Sequence, residues 1–351
     1  MTRKYKGRRN RTRRKRNLLL RRITVTGIFI LVVSLLGFVG WQVARGIATA
    51  FATGDQPIPA SRTTTTTAIP TTTTTYPTIS VGAQLTTPRV LVYDITHSAM
   101  LYSQNAEQQC YPASLTKLLT AIIVSEECEE DEVFTVGSEL SFVQPDASRA
   151  GLKAGYKLTR DMIIAAMLLP SGNDAAYSIA VHVGRKLSDE DDPGIMDALF
   201  AFTDRMNEKA IEIGAKNSHF SNPDGYFSPD HYTTAYDMLQ IAKAVLQYDN
   251  LRETMGKSSV DYILLSGEKM TFKNSNKLMS PSNPYYFEGA TGMKTGFTNE
   301  AGHCIATSAK RNGVEIITIV MGGISNESRY ADAITLMNAA FSPKTTSTIT
   351  Q

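Results

Sequence analysis

Acidic residues are missing from the first 54 positions of this 351-residue chain, where 12 Lys and Arg fall between positions 1 and 22 and Arg45 follows. The formal net charge of +3 therefore hides two unlike parts, because from position 46 onward 23 basic residues face all 33 acidic ones, a net of −10. A nucleic-acid-binding groove needs Lys and Arg spread over a folded surface, so a nucleic-acid partner is excluded. Cysteine is scarce too, with three residues and no Cys-x-x-Cys pair. The five histidines, His97, His182, His219, His231 and His303, show no zinc-ligand spacing. No metal and no other cofactor is expected, and His182 reads as a partly buried helix side chain. What the chain does have is 42% hydrophobic residues, enough for a sizeable core.

The basic tail, residues 1–22, runs into Ile23 to Ala44, 22 residues without a charge. As a helix this segment would be roughly 33 Å long, enough to cross a bilayer. The preceding cations predict a cytoplasmic N-terminus, with Trp41 near the far interface and the rest of the chain outside. A cleaved signal peptide is the alternative, since Ala48-Thr49-Ala50 offers a small-residue cleavage site. Residues 45–84 then read as an extracytoplasmic stalk, dominated by Thr and Pro with five consecutive Thr at 63–67 and five more at 71–75. Its core of 28 positions, fully extended, would reach roughly 80 Å.

A globular domain is expected over 85–343, followed by a tail at 344–351. Arg89 to Tyr93 and Met100 to Ser103 suggest a hairpin, and Leu115, Leu118, Leu119, Ile122 and Ile123 have helical spacing. Cys304 to Ser308 and Val314 to Met321 read as strands around Asn312-Gly313, with a helix from about Arg329 to Ala340. Strands at both ends and helices between them predict one α/β domain whose sheet is assembled from distant segments. A helix over about 113–125 would hold Cys110 and Cys128 roughly 20 Å apart, too far for a disulfide. Cys304 is expected to be a buried, reduced strand residue.

Three polar clusters carry chemistry. Ser114 and Lys117 stand three residues apart at a helix start, so they share a face. A lysine can take the serine's proton only when burial or another cation makes its ammonium unstable, and Lys294 together with burial is expected to do so. Ser171-Gly172-Asn173 follows a helix-breaking Pro170 on a tight interhelical loop, with Asp174 as helix cap. Lys294-Thr295-Gly296-Phe297-Thr298 reads as a strand edge, where Gly296 lets a peptide backbone approach and the Phe297 N–H completes an oxyanion hole. Singly, each is ordinary: Ser266 and Lys269 repeat the first pattern without its surroundings.

In this order, with these separations, the set resembles the serine D-alanyl-D-alanine carboxypeptidases, the low-molecular-mass penicillin-binding proteins. The resemblance runs from about Arg89 to Phe341 and includes YPASLTKLLTA, AAMLLPSGNDAA, HFSNPDGY, HYTTAYDM and GMKTGFTNEAGHCIATSAKRNG. It implies an α/β (α+β) fold of the β-lactamase/transpeptidase type. It also implies Ser114 as acylated nucleophile, Lys117 as its base, Ser171 and Lys294 as a proton relay to the leaving amine, and Asn173 as a ligand of the substrate amide. Thr295, Thr298 and, less directly, Arg329 would meet a terminal carboxylate. The implied partners are peptidoglycan stem peptides and β-lactams, with the membrane reached through the N-terminal helix. Many relatives carry a second β-rich domain and a C-terminal anchor, for which about ten residues after Phe341 leave no room; the N-terminal span is expected to replace them. A D,D-endopeptidase or transpeptidase remains an alternative on the same site. So do a β-lactamase, for which no Glu-x-x-x-Asn element lies between Ser171 and Lys294, and a silent wall-binding or β-lactam-sensing module.

Overall fold

The computed structural model describes residues 79–82, 84–188 and 190–342. The basic tail, the apolar stretch 23–44, most of the stalk and the tail at 344–351 lie outside the described residues. Among the described residues no helix is long and apolar enough to cross a membrane.

The strands are β1 (Arg89–Asp94), β2 (Ala99–Gln104), β3 (Val133–Thr135), β4 (Lys157–Thr159), β5 (Ser259–Ile263), β6 (Lys269–Lys273), β7 (Ala290–Thr298), β8 (Gly302–Arg311) and β9 (Val314–Gly323). The α-helices are α1 (Lys117–Glu127), α2 (Arg160–Leu168), α3 (Asn173–Leu187), α4 (Ile195–Glu212), α5 (Ala235–Val245), α6 (Asp249–Gly256) and α7 (Asn326–Phe341). One antiparallel sheet has the order β2-β1-β9-β8-β7, so the first hairpin docks directly on the last strand. β8 and β9 meet at Arg311 and Val314 around Asn312-Gly313, both at positive φ, the turn that an Asn-Gly pair favours.

Alternation along the central strands sorts the core into two layers. Val90, Val92, Ile316 and Val320 face Tyr330, Ala333, Leu336 and Met337 of α7. Leu91, Ile317, Ile319 and Met321 face the other helices, with Leu118 and Ile122 of α1 in the same cluster. Both faces are covered, which is why these strands read as nearly continuous apolar runs. The folded unit begins ahead of position 85: the Ile79 amide donates to the Leu101 carbonyl at 3.0 Å, and Ile79 and Val81 pack against the α7 layer. The buried Asp332 carboxylate of α7 fastens this entry segment, accepting from the amides and hydroxyls of Thr86 and Thr87 at 2.6–3.3 Å.

The helix-rich part depends on one close crossing. At Gly184 of α3 an added Cβ would lie 1.9 Å from the Ala198 carbonyl oxygen of α4, so the two helices touch backbone to backbone there. Gly184→Ala is expected to force them apart and lower stability by about 3 kcal/mol, the upper range for overpacking. Urea unfolding of the two proteins measures the loss, and an unchanged midpoint would show that the helices separate freely.

Candidate active site

Ser114 sits in a 3₁₀ turn, Ala113–Thr116, which runs without a break into α1. The expected single α-helix is thus tightened at its start, while Ser114 and Lys117 still share a face. Ala113 adopts φ +47, an unusual state for a residue with a Cβ, immediately before Ser114. Two contacts hold that turn. The Thr116 hydroxyl donates to the Ala113 carbonyl at 2.9 Å and in turn lies 2.8 Å from His231 Nε2. His231 Nδ1 accepts the Ser221 amide, so the neutral ring carries its proton on Nε2 and donates to Thr116. Burial, with His219 and Lys117 adding to it, pushes His231 down to about 3 and keeps it neutral. The second contact is Gly225, at φ +83, whose backbone presses on the Ala113 carbonyl.

Lys117 is fully buried, with Nζ 2.9 Å from Ser114 Oγ and donating at 2.6 Å to the Asp224 carbonyl. Burial lowers its pKa to about 8, against the opposing pull of the Asp224 and Asp174 carboxylates. The electrostatics correct one expectation. Lys294 is not a main cause of the lysine's lowered pKa; rather, burial, then Lys117, then Arg329 hold Lys294 itself well below the ordinary ammonium range. Two neighbouring buried amines are not both readily protonated, and burial works against the charge of each.

Ser171 is buried at φ +66 on the loop between α2 and α3. The loop is close-fitting, since a Cβ on Gly172 would meet the Ala166 carbonyl oxygen at 2.5 Å and the Ala150 methyl at 2.8 Å. Asn173, not Asp174, opens α3, and its buried side-chain oxygen has no partner within the protein. Asp174 does something the sequence did not suggest. Its carboxylate accepts the amides of Ala150, Gly151 and Leu152 at 2.8–2.9 Å and so ties the 149–155 loop over the start of α3.

Lys294 to Thr298 lie within β7, the unpaired edge of the large sheet. Lys294 Nζ donates to the Thr295 carbonyl at 2.8 Å, and the Thr295 hydroxyl lies 3.3 Å from that of Ser275. Gly296 lies against the Ala113–Thr116 turn: a Cβ there would be 3.0 Å from the Ser114 amide nitrogen. Phe297 is exposed and stacks on His303 at 4.3 Å, while Thr298 Oγ1 accepts the Ala301 amide and leaves its own hydroxyl proton to donate outward. Arg329 lies in the first turn of α7. It is buried, donating to the carbonyls of Gly296 and Cys304.

These groups converge. A cleft of about 410 Å³ is lined by Ser114, Ser171, Asn173, Tyr226, Thr295 to Thr298 and Arg329, so all three clusters meet across it. Lys117 and Lys294 are buried behind that lining. The arrangement supplies an activated hydroxyl, two amines with lowered proton affinity, an unfilled amide acceptor and a cationic end. Asp174, Asp224 and His231 were missed as site residues because each acts on groups distant in sequence; Asp174 was read only as a helix cap in SGNDAA, and only the NPDGY and HYTTAYDM segments hinted at Asp224 and His231.

The influence of Asp224 on Lys117 is measurable. Its carboxylate is fully buried, with one oxygen unpartnered, and burial raises its own pKa while Lys117 opposes the rise. Asp224→Asn keeps the backbone carbonyl but removes a charge that stabilises the Lys117 ammonium. The acid limb of the acylation rate against pH, near 8 in the parent from the Lys117 value, should move down by about one unit. An unmoved limb would mean that Lys117 is not the titrating group.

A family model described as D-alanyl-D-alanine carboxypeptidase, peptidase S11, matches residues 72–325. The D-alanyl-D-alanine carboxypeptidase DacF of Bacillus subtilis is 30% identical over 69% of this chain and 59% of its own length. The D-alanyl-D-alanine carboxypeptidase of a Streptomyces strain is 29% identical over 69% of this chain and 82% of its own. The chain thus spans about six-tenths of the DacF relative. Among solved structures, the Streptomyces K15 DD-transpeptidase superposes with a TM-score of 0.68 at 27% identity, over 74% of this chain and 99% of that one. The D-alanyl-D-alanine carboxypeptidase DacD of Francisella tularensis gives 0.65 at 25% identity, over 74% and 71%. The fold is therefore that of the transpeptidase and β-lactamase enzymes, and the chain belongs to the D-alanyl-D-alanine carboxypeptidase family, peptidase family S11.

Proposed function

We propose that this protein is a serine D,D-carboxypeptidase that removes the terminal D-alanine of peptidoglycan stem pentapeptides through an acyl-enzyme on Ser114. The observation that carries the proposal is the buried Lys117 amine, 2.9 Å from Ser114 Oγ and anchored at 2.6 Å on the Asp224 carbonyl. With one N–H committed to that carbonyl, the neutral amine keeps its lone pair for the serine proton. Ser114 Oγ attacks the carbonyl of the penultimate D-alanine as Lys117 takes the proton, and the N–H groups of Ser114 and Phe297 hold the oxyanion. The C–N bond then breaks, and the leaving amine takes the proton that Lys117 received, relayed through Ser171 and Lys294, which returns Lys117 to its neutral form. Water, deprotonated by Lys117, releases the shortened peptide. Asn173 binds the substrate amide, and Thr295, Thr298 and Arg329 hold the terminal carboxylate. A β-lactam enters the same path but leaves no departing fragment, so the acyl-enzyme persists.

The 12 basic residues and 22 uncharged ones at the start support a single-pass membrane anchor with a cytoplasmic N-terminus and an extracytoplasmic catalytic domain. Sequencing of the mature N-terminus tests this, and a start just after Ala50 would reject it. For the chemistry, the protein and its Ser114→Ala variant are incubated with a fluorescent penicillin and with a pentapeptide ending in D-Ala-D-Ala, with and without an acceptor amine. Labelling and D-alanine release in the parent, both lost in the variant, support the proposal. Rapid penicillin turnover would indicate a β-lactamase, and product passing mainly to the amine would indicate a transpeptidase.

A further inference from the structure

At the far ends of the two helices that carry the site, α1 and α3, lies a second cluster of reactive groups. Cys128 caps the C-terminus of α1, Glu132 precedes β3, and His182 lies on α3. One donor atom from each falls within 4.8 Å of the other two. We propose that Cys128, Glu132 and His182 form a binding site for a zinc-class divalent ion, which clips the end of α1 to α3.

The ligand chemistry suits such an ion. Thiolate, imidazole and carboxylate together match a borderline-soft metal, and three protein ligands leave a fourth position for water. Around a tetrahedral zinc, donor atoms stand roughly 3.3–3.8 Å apart. The 2.6 Å between His182 Nε2 and Glu132 Oε1 must therefore open by about 1 Å, while the 4.8 Å limit on the set already includes that spacing. Cys128 is buried and free of any disulfide. The His182 ring is braced against Phe134 at 4.2 Å, so two of the three ligands are held in place before an ion arrives.

A cation already occupies the neighbourhood. Lys186, one turn beyond His182 on α3, donates to both Glu132 oxygens at 2.8 and 2.9 Å and lies 3.7 Å from the Cys128 sulfur. The ammonium stands where a metal would neutralise the carboxylate. Charge arithmetic permits exchange: Glu132 with Lys186 is neutral, and so is a divalent ion with Glu132 and a Cys128 thiolate. On binding, the thiol proton leaves to solvent and the lysine swings away. It has room to do so, being 40% exposed and bordering, with His182, a cavity of about 270 Å³.

Titrating the metal-free full chain with Co²⁺ tests the site, because a cysteine ligand gives a near-ultraviolet thiolate-to-metal charge-transfer band. The expected result is a band in the parent that saturates at one ion per chain, is lost in Cys128→Ser and is weakened in His182→Gln. Lys186→Ala should bind several-fold more tightly, by the worth of a part-exposed ion pair. Zn²⁺ at roughly 100 times its Kd should raise Tm by about 5 °C or more in the parent but not in Cys128→Ser. A parent without the band overturns the proposal, even if Lys186→Ala shows one, since the lysine would then be the native occupant. A band that survives in folded Cys128→Ser also overturns it.

Discussion

Lys117→Arg is expected to acylate with penicillin about 10³-fold more slowly than the parent, within the range for loss of a general base. Arginine keeps a positive charge and most of the length, but its guanidinium is never a base near neutral pH. The larger head group must also fit where Lys117 is fully buried against the Asp224 carbonyl. Stopped-flow labelling gives the second-order rate, and thermal unfolding with and without ligand shows whether the variant is folded. A rate within a few-fold of the parent in a folded variant would remove Lys117 from the role of base. Lys117→Ala supplies a control, because it deletes the base without adding bulk.

Gly225→Ala should also be damaging, though Gly225 carries no side chain and only borders the cleft. Its backbone is at φ +83, and an added Cβ would fall 1.9 Å from the Ala113 carbonyl oxygen and 2.8 Å from Thr116 Oγ1. The loop must retreat or the nucleophile turn must tilt. A displacement of about 1 Å at the reacting group costs about 10²-fold in rate. A loss of that size in the penicillin acylation rate is expected, with about 2 kcal/mol of stability lost as well. An alanine variant that acylates normally would show that the 222–226 loop does not position Ser114.

These two positions show what could be read in advance. Ser114, Lys117, Ser171, Asn173, Lys294 and Thr295 were legible because each cluster fits into three to five consecutive residues, and chemistry so local survives in a linear reading. Gly225 and Asp224 were visible only as letters of a motif. Their importance comes from an approach between segments more than 100 residues apart, which spacing along the chain does not encode. The same holds for His231, whose ring reads as an ordinary histidine until Thr116 and Ser221 are found on its two nitrogens. In the fold, the β8–β9 hairpin and α7 were legible because both faces of the sheet are buried and Asn-Gly marks the turn. The β3–β4 and β5–β6 ribbons were not. β3 and β4 have three residues each, too few to show a period, while β5 and β6 do alternate, with Val260, Tyr262, Met270 and Phe272 on one face, but over only five residues each.

The pairing of β1 with β9 also sets the order in which the protein acquires an active site. Arg89 lies opposite Met321, so the centre of the sheet joins residues separated by most of the catalytic domain. β7, which brings Lys294 and Gly296 to Ser114, is held through β8 to β9 and has no other partner in the large sheet. Until β9 has docked on β1, the turn that carries Ser114 has no β7 to lie against and the cleft lacks one wall. Local helices form early, and the long-range strand pairing comes last because its loop must close first. A nascent or interrupted chain therefore carries Ser114 and Lys117 without the walls of the cleft around them, and the site is completed only with the last strand.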